Sequence, residues 1–140
     1  MEKLIDILLV EDDQLDVIDI RRTLDKMKIM YQLHTARNGE EGLALLRGEG
    51  AAPLERLPDV ALIDINMPKM NGLEFLQAVR NNEEWKGLKC FIITTSDEKV
   101  DKDAAKALGV SGYIIKPFKL NNPSSMDSFN LMIDLMNMRG

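Results

Sequence analysis

Cysteine is almost missing from this chain: Cys90 stands alone among 140 residues, so no internal disulfide can staple the fold. A lone thiol fits a reducing compartment, and its expected role is small apolar filler. Histidine is equally scarce. His34 is the only one, and it falls away from the acidic positions described below, so a structural role is expected. There is no basic excess either, because the net charge is -5 and the 18 lysines and arginines are scattered, which argues against nucleic acid as a direct partner. Long hydrophobic runs are absent. The N-terminal apolar stretch is brief and runs straight into acids, which suits neither a leader nor a membrane span. A cytoplasmic location without membrane contact is expected. Repeats and low-complexity tracts are missing too, and 45% hydrophobic content is enough for one core, so residues 1–140 are expected to form a single domain. Trp85 and the nine methionines read as packing residues.

What is present is an alternation of two periods. Leu4 to Val10 is an apolar run broken only by Asp6, short enough for a buried strand, and it ends in Glu11, Asp12 and Asp13. Val17, Ile20, Leu24 and Met27 then recur at helical spacing. Tyr31 to Thr35 is a weaker strand. Asn38 with Glu41 resembles a capping box opening a helix through Leu43, Leu45 and Leu46. Residues 48–58, with two glycines and two prolines, read as a loop. Asp59 to Asp64 is a second buried-strand pattern, followed by the loop NMPKMNG and a helix carrying Leu73, Leu76 and Val79. Leu88 to Thr94 is another apolar strand that ends in hydroxyls. A small-residue helix through Ala104, Ala105, Ala107 and Leu108 stops at Gly109. Gly112 to Ile115 is the last strand and runs into Lys116-Pro117; Pro123, Ser124 and Ser125 lead into a final helix.

Five strands alternating with five helices predict a parallel, doubly wound α/β sheet covered on both faces. Such sheets bind ligands beyond the carboxyl ends of their strands. The strand tips here carry Glu11, Asp12, Asp64, Thr94 and Lys116. Carboxylates brought this close repel by roughly 4 kcal/mol per pair at intermediate dielectric, so the pocket calls for a cation. Oxygen-only ligands favour Mg²⁺ over zinc. With the cation and Lys116 compensating an anion, Asp64 offers a carboxylate nucleophile for phosphoryl transfer.

Taken together, LLVEDD, LIDINMPKMNG, IITTS and GYIIKPF resemble the four landmark segments of bacterial two-component response-regulator receiver domains, over essentially the full chain. The resemblance implies a flavodoxin-like fold with strand order 2-1-3-4-5. It implies that Asp64 is the phosphorylation site, that Asp12, Asp64 and the backbone carbonyl of Asn66 hold Mg²⁺, and that Glu11 does so through water. Lys116 would pair with the phosphoryl group and Thr94 would turn to bond it. Tyr113 would be the aromatic switch residue, and Lys116-Pro117 would be a cis peptide. The implied donor is a histidine kinase or histidine phosphotransfer protein. Because the chain ends at residue 140 without an output domain, the signal is expected to leave through an effector or relay partner.

Two segments depart from minimal receivers. Residues 48–58 are longer and resemble the insertion of stand-alone regulators that partner bacterial phytochrome kinases. Phe118 to Ser125 also forms a long link into the last helix. That helix has two stripes, Met126, Phe129, Ile133 and Met136 on one side and Leu131, Leu135 and Met138 on the other. One stripe serves the core; the other is expected to meet a partner or a second copy through the last two helices, and Leu131 and Leu135 are the positions selected for testing it. Two other functions fit the same fold. An FMN-binding module is disfavoured because the acids after strand one would repel its phosphate, and a receiver-like module could bind partners without phosphorylation.

Overall fold

The strands that read as unbroken apolar runs sit where both faces of a sheet are covered. In the computed structural model, which describes residues 2–50, 54–119 and 125–139, ten elements follow in order. They are β1 (Ile5–Val10), α1 (Gln14–Lys26), β2 (Tyr31–Ala36), α2 (Gly39–Leu46), β3 (Val60–Ile63), α3 (Gly72–Asn81), β4 (Cys90–Thr94), α4 (Lys99–Ala107), β5 (Gly112–Ile115) and α5 (Met126–Met138). All strand pairs are parallel, in the order β2-β1-β3-β4-β5. This is the doubly wound, flavodoxin-like topology expected. Of the predicted segments, Pro123, Ser124 and residues 51–53 lie outside the described residues.

Side chains alternate across the sheet and build two cores. Ile5, Ile7 and Leu9 of β1 face Val17, Ile20 and Leu24 of α1 and Leu131, Met132 and Leu135 of α5. Leu8 and Val10 face the other way, toward Phe75, Leu76 and Val79 of α3 and Ala105 of α4, with Leu43, Leu45 and Leu46 of α2 packed alongside. Each fully buried large side chain contributes roughly 1.5–3 kcal/mol. The two-sided burial of β1, β3 and β4 places their carboxyl ends side by side at the middle of one sheet edge.

Local polar residues start the helices. Asp13 caps α1 by accepting from the backbone N–H groups of Leu15 and Asp16. Asn38 caps α2 by accepting from Glu41, but the Glu41 carboxylate accepts from the Arg37 N–H instead of returning to Asn38. The reciprocal capping box belongs to Asn71 and Glu74 at the start of α3. Gly72, one residue on, is required by space: a β-carbon there would lie 2.2 Å from the Asp64 carbonyl oxygen. Gly109, at φ +74°, follows the α4 cap residue Leu108, as the stop signal predicts.

The final helix corrects the choice of partner-facing residues. Leu131 and Leu135 are fully buried against the sheet, whereas Met126, Phe129, Ile133 and Met136 are the exposed stripe. Aspartates at 131 and 135 would enter the core rather than probe a surface. The long 48–58 segment also gains a reason. Asp6 points to the α2 side of the sheet, beyond the reach of that short helix, and Arg56 covers it with an ion pair of 2.6 Å. His34 joins the same carboxylate at 3.1 Å, in the structural role expected of it. Asp59, just before β3, accepts from the Asp6 N–H and from Lys3, both at 2.8 Å.

Candidate functional site

The carboxyl ends of β1, β3 and β5 bring together the acids and the ammonium singled out above. Glu11 follows β1, Asp64 follows β3 and Lys116 follows β5, each one residue past its strand. Carboxylate oxygens of Glu11, Asp12 and Asp64 all lie within 4.8 Å of one another. Glu11 and Asp64 are buried, and Asp12 is exposed at the rim. The Lys116 Nζ contacts Glu11 Oε1 at 2.6 Å, Asp16 Oδ2 at 2.7 Å and Asp64 Oδ2 at 3.3 Å. Three of its contacts are therefore carboxylates, and one of them, Asp16, was not singled out from the sequence. The signal was there. Asp16 lies one helical turn before buried Ile20, so a charge occupies the inward stripe of α1 where it reaches the sheet edge.

The surrounding backbone holds the nucleophile candidate in place. The Asp64 N–H donates to the Val10 carbonyl at 3.0 Å, and the Asn66 N–H donates to Asp64 Oδ1 at 3.3 Å. That second bond leaves Asp64 Oδ2 for the ammonium and outward chemistry. Thr94 is fully buried, and its hydroxyl accepts from the Ser96 N–H at 3.3 Å. It does not cap α4, whose preceding residue Glu98 makes no side-chain cap. Tyr113, half-buried on β5, donates its hydroxyl proton to the Ser96 carbonyl at 2.9 Å, so the Thr94 loop and the Tyr113 ring share one anchor. The Lys116-Pro117 peptide is cis.

Electrostatics follow from this crowding. Burial, opposed by the Lys116 bond and aided by the Asp64 charge, pushes the Glu11 carboxyl up to about 7. Burial alone would lower the Lys116 ammonium, but Asp16 and Glu11 bonded to it, with the Asp64 charge, hold it above the ordinary lysine range. One cation does not satisfy these acids. An all-oxygen donor set of this charge fits a hard divalent ion, and with Asp64 as nucleophile and Lys116 as counter-charge it suits capture of a phosphoryl group. The same charge opposes a metal-free phosphate such as that of FMN. Among the described residues no helix is long and apolar enough to cross a membrane.

Comparison with known proteins agrees with the geometry. Residues 7–125 match the family described as the response regulator receiver domain. Protein PilH of Pseudomonas aeruginosa is 33% identical over 111 residues, covering 79% of this chain and 84% of that protein. A sensor histidine kinase, CheAY of Helicobacter pylori, is 34% identical over 80% of this chain, which spans only 13% of that longer protein. Among solved structures, a two-component response regulator from Legionella pneumophila superposes with a TM-score of 0.80 at 30% identity, over 96% of this chain and 99% of that one. The bacteriophytochrome response regulator AtBRR gives a TM-score of 0.79 at 29% identity, over 97% and 94%. The strand order, the acidic strand tips and a match over most of its length show that the chain belongs to the response regulator receiver family.

Proposed function

We propose that this receiver accepts a phosphoryl group on Asp64 from a phosphohistidine of a histidine kinase or histidine phosphotransfer protein. The observation that carries the reading is the meeting of Asp64 with Asp12 on one side and Lys116 on the other. An Asp64 carboxylate oxygen attacks phosphorus, the phosphorus–nitrogen bond breaks, and its electron pair stays on the imidazole. Lys116 bonds the phosphoryl oxygens, compensating their charge as the group passes from the imidazole to Asp64. Asp12, Asp64 and the Asn66 carbonyl would hold Mg²⁺, with Glu11 acting through water; bound there, the ion supplies further charge compensation at the phosphoryl oxygens. The residues act on their own modification and turn over no separate substrate. A cytoplasmic setting suits a donor whose phosphohistidine is made from ATP.

Phosphorylation adds nearly two negative charges beside Thr94 and Lys116. The Thr94 hydroxyl can leave the Ser96 N–H for the new oxygens, and Tyr113, anchored on the Ser96 carbonyl, feels the change. The Tyr113 N–H also donates to Asp127 at 2.9 Å in the first turn of α5, which ties the strand edge to the helix. An effector or relay partner that prefers this altered face is then recruited in proportion to its differential affinity. The exposed apolar stripe of α5 supports a homodimer through the last two helices. Light scattering should show Phe129→Asp, Ile133→Asp as monomer where the wild type is a dimer; a wild type already monomeric removes the homodimer. Likeness to phytochrome-linked regulators such as AtBRR supports a light-sensing kinase as one donor.

The deciding experiment is incubation with a small phosphodonor and Mg²⁺, followed by intact-mass measurement. Wild type should gain one phosphoryl group and Asp64→Asn none. Equal gain by both proteins would relocate the site.

A further inference from the structure

Lys116 has three ammonium protons and already faces three carboxylates, those of Glu11, Asp16 and Asp64. We infer that Asp16 is a positioning residue that competes with the incoming phosphoryl group for the Lys116 ammonium, and so sets how readily the pocket accepts an anion. This rests on the phosphoacceptor reading above. A phosphoryl group on Asp64 exchanges that residue's own 3.3 Å contact for a phosphoryl oxygen, and for the ammonium to bond a second phosphoryl oxygen either Glu11 or Asp16 must yield. Glu11 is not the one, because its side chain is wholly buried and cannot exchange the bond for water. The Asp16 side chain is 30% exposed and can rehydrate.

Asp16 is also separate from the oxygens that could share a cation. The close group is Glu11, Asp12 and Asp64, whereas Asp16 reaches in from the first turn of α1. Its charge is favoured there by the helix N-terminus. At 2.7 Å it lies nearer the ammonium than Asp64 does at 3.3 Å, so in the unphosphorylated protein it holds Lys116 toward α1. Asp16 therefore acts twice against an anion, by occupying a donor and by adding a like charge at the pocket mouth.

Asp16→Asn keeps a hydrogen-bonding side chain and removes the charge. The concentration of acetyl phosphate, or of beryllium fluoride as a noncovalent phosphoryl mimic, that half-saturates the protein with Mg²⁺ should fall roughly tenfold, about 1.4 kcal/mol. The maximal phosphorylation rate should change much less, and Asp16→Glu should return the half-saturation toward wild type. Asp19→Asn makes the same charge change one turn along α1 and should leave half-saturation unmoved. An unchanged or raised value in Asp16→Asn, or an equal fall in Asp19→Asn, overturns the competition. A second readout needs neither donor nor metal: with nitrogen-15 in the lysines, the Lys116 ammonium resonance should shift in Asp16→Asn. No shift overturns the pairing even if phosphorylation proceeds normally. A shifted ammonium in a protein that takes neither anion instead defeats the phosphoacceptor reading, and the competition with it.

Discussion

The two ends of the sheet both gather charge in partly buried positions, and they balance it differently. Where β1 and β3 begin, Asp6 and Asp59 are met by Lys3 and Arg56, with His34 as a further partner. Burial works against the Asp59 charge, yet Lys3, the Asp6 N–H and Arg56 hold its carboxyl below the ordinary range. At the opposite end, among the described residues, Lys116 alone pairs with Glu11, Asp16 and Asp64, with Asp12 beside them, and Glu11 is pushed upward. Matched charges are how a fold covers a buried acid. Unmatched ones mark a place kept ready for an ion or a reacting group, because the imbalance costs stability that only a ligand returns.

The sharpest way to break this contrast is to remove the counter-charge of the unbalanced end. Lys116→Ala should slow phosphorylation by a small donor about 100-fold, measured by intact mass against time. A rate near wild type would mean that Lys116 serves structure, like Arg56. At the balanced end Asp6→Ala should cost about 2 kcal/mol in urea unfolding, since it takes the carboxylate from Arg56 and His34 while leaving the backbone bond to Asp59 in place. Neutralising the acids of the pocket should do the reverse: without divalent cations, Asp12→Asn or Asp64→Asn should raise stability by about 1 kcal/mol, and added Mg²⁺ should stabilise wild type more than either variant. If both ends lose stability alike, the distinction fails.

The same contrast predicts opposite pH slopes. The Glu11 pKa lies near 7 in the fold against 4.5 as its ordinary value, so the folded protein binds more protons in between. The stability that Glu11 contributes is full below its ordinary value and is lost as pH rises through about 7. In metal-free protein this decline is at most about 1.4 kcal/mol per pH unit, and Glu11→Gln should abolish it. Asp59, held low, contributes stability above its ordinary value and loses it as pH falls through its lowered one. Comparing melting curves of wild type, Glu11→Gln and Asp59→Asn across pH separates the two. A wild-type curve parallel to that of Glu11→Gln would deny that burial and the Asp64 charge hold the Glu11 carboxyl up.

What could be read from the sequence was the part written locally. Runs such as DVALID stop at a carboxylate because the strand leaves the core there, so Glu11, Asp64, Thr94 and Lys116 were legible as strand tips. The sheet order followed from alternation together with the family resemblance. Asp16 and Arg56 escaped because their partners lie 100 and 50 residues away, at Lys116 and Asp6, and nothing near them in the chain says so. Asn71 and Glu74 carry the capping pattern as clearly as Asn38 and Glu41; which pair closes depends on whether Arg37 diverts the glutamate. For α5, two apolar stripes of similar strength left the inward side undecided until the sheet and α1 took Leu131 and Leu135.

Gly72 also limits where motion can go. With the start of α3 pressed against the carbonyl of Asp64, that peptide has no slack on the α3 side. On the proposed reading, a push generated at the aspartate would escape sideways through neighbouring β4 and β5, toward Tyr113 and the outer helices, so the close approach at Gly72 would give it a direction.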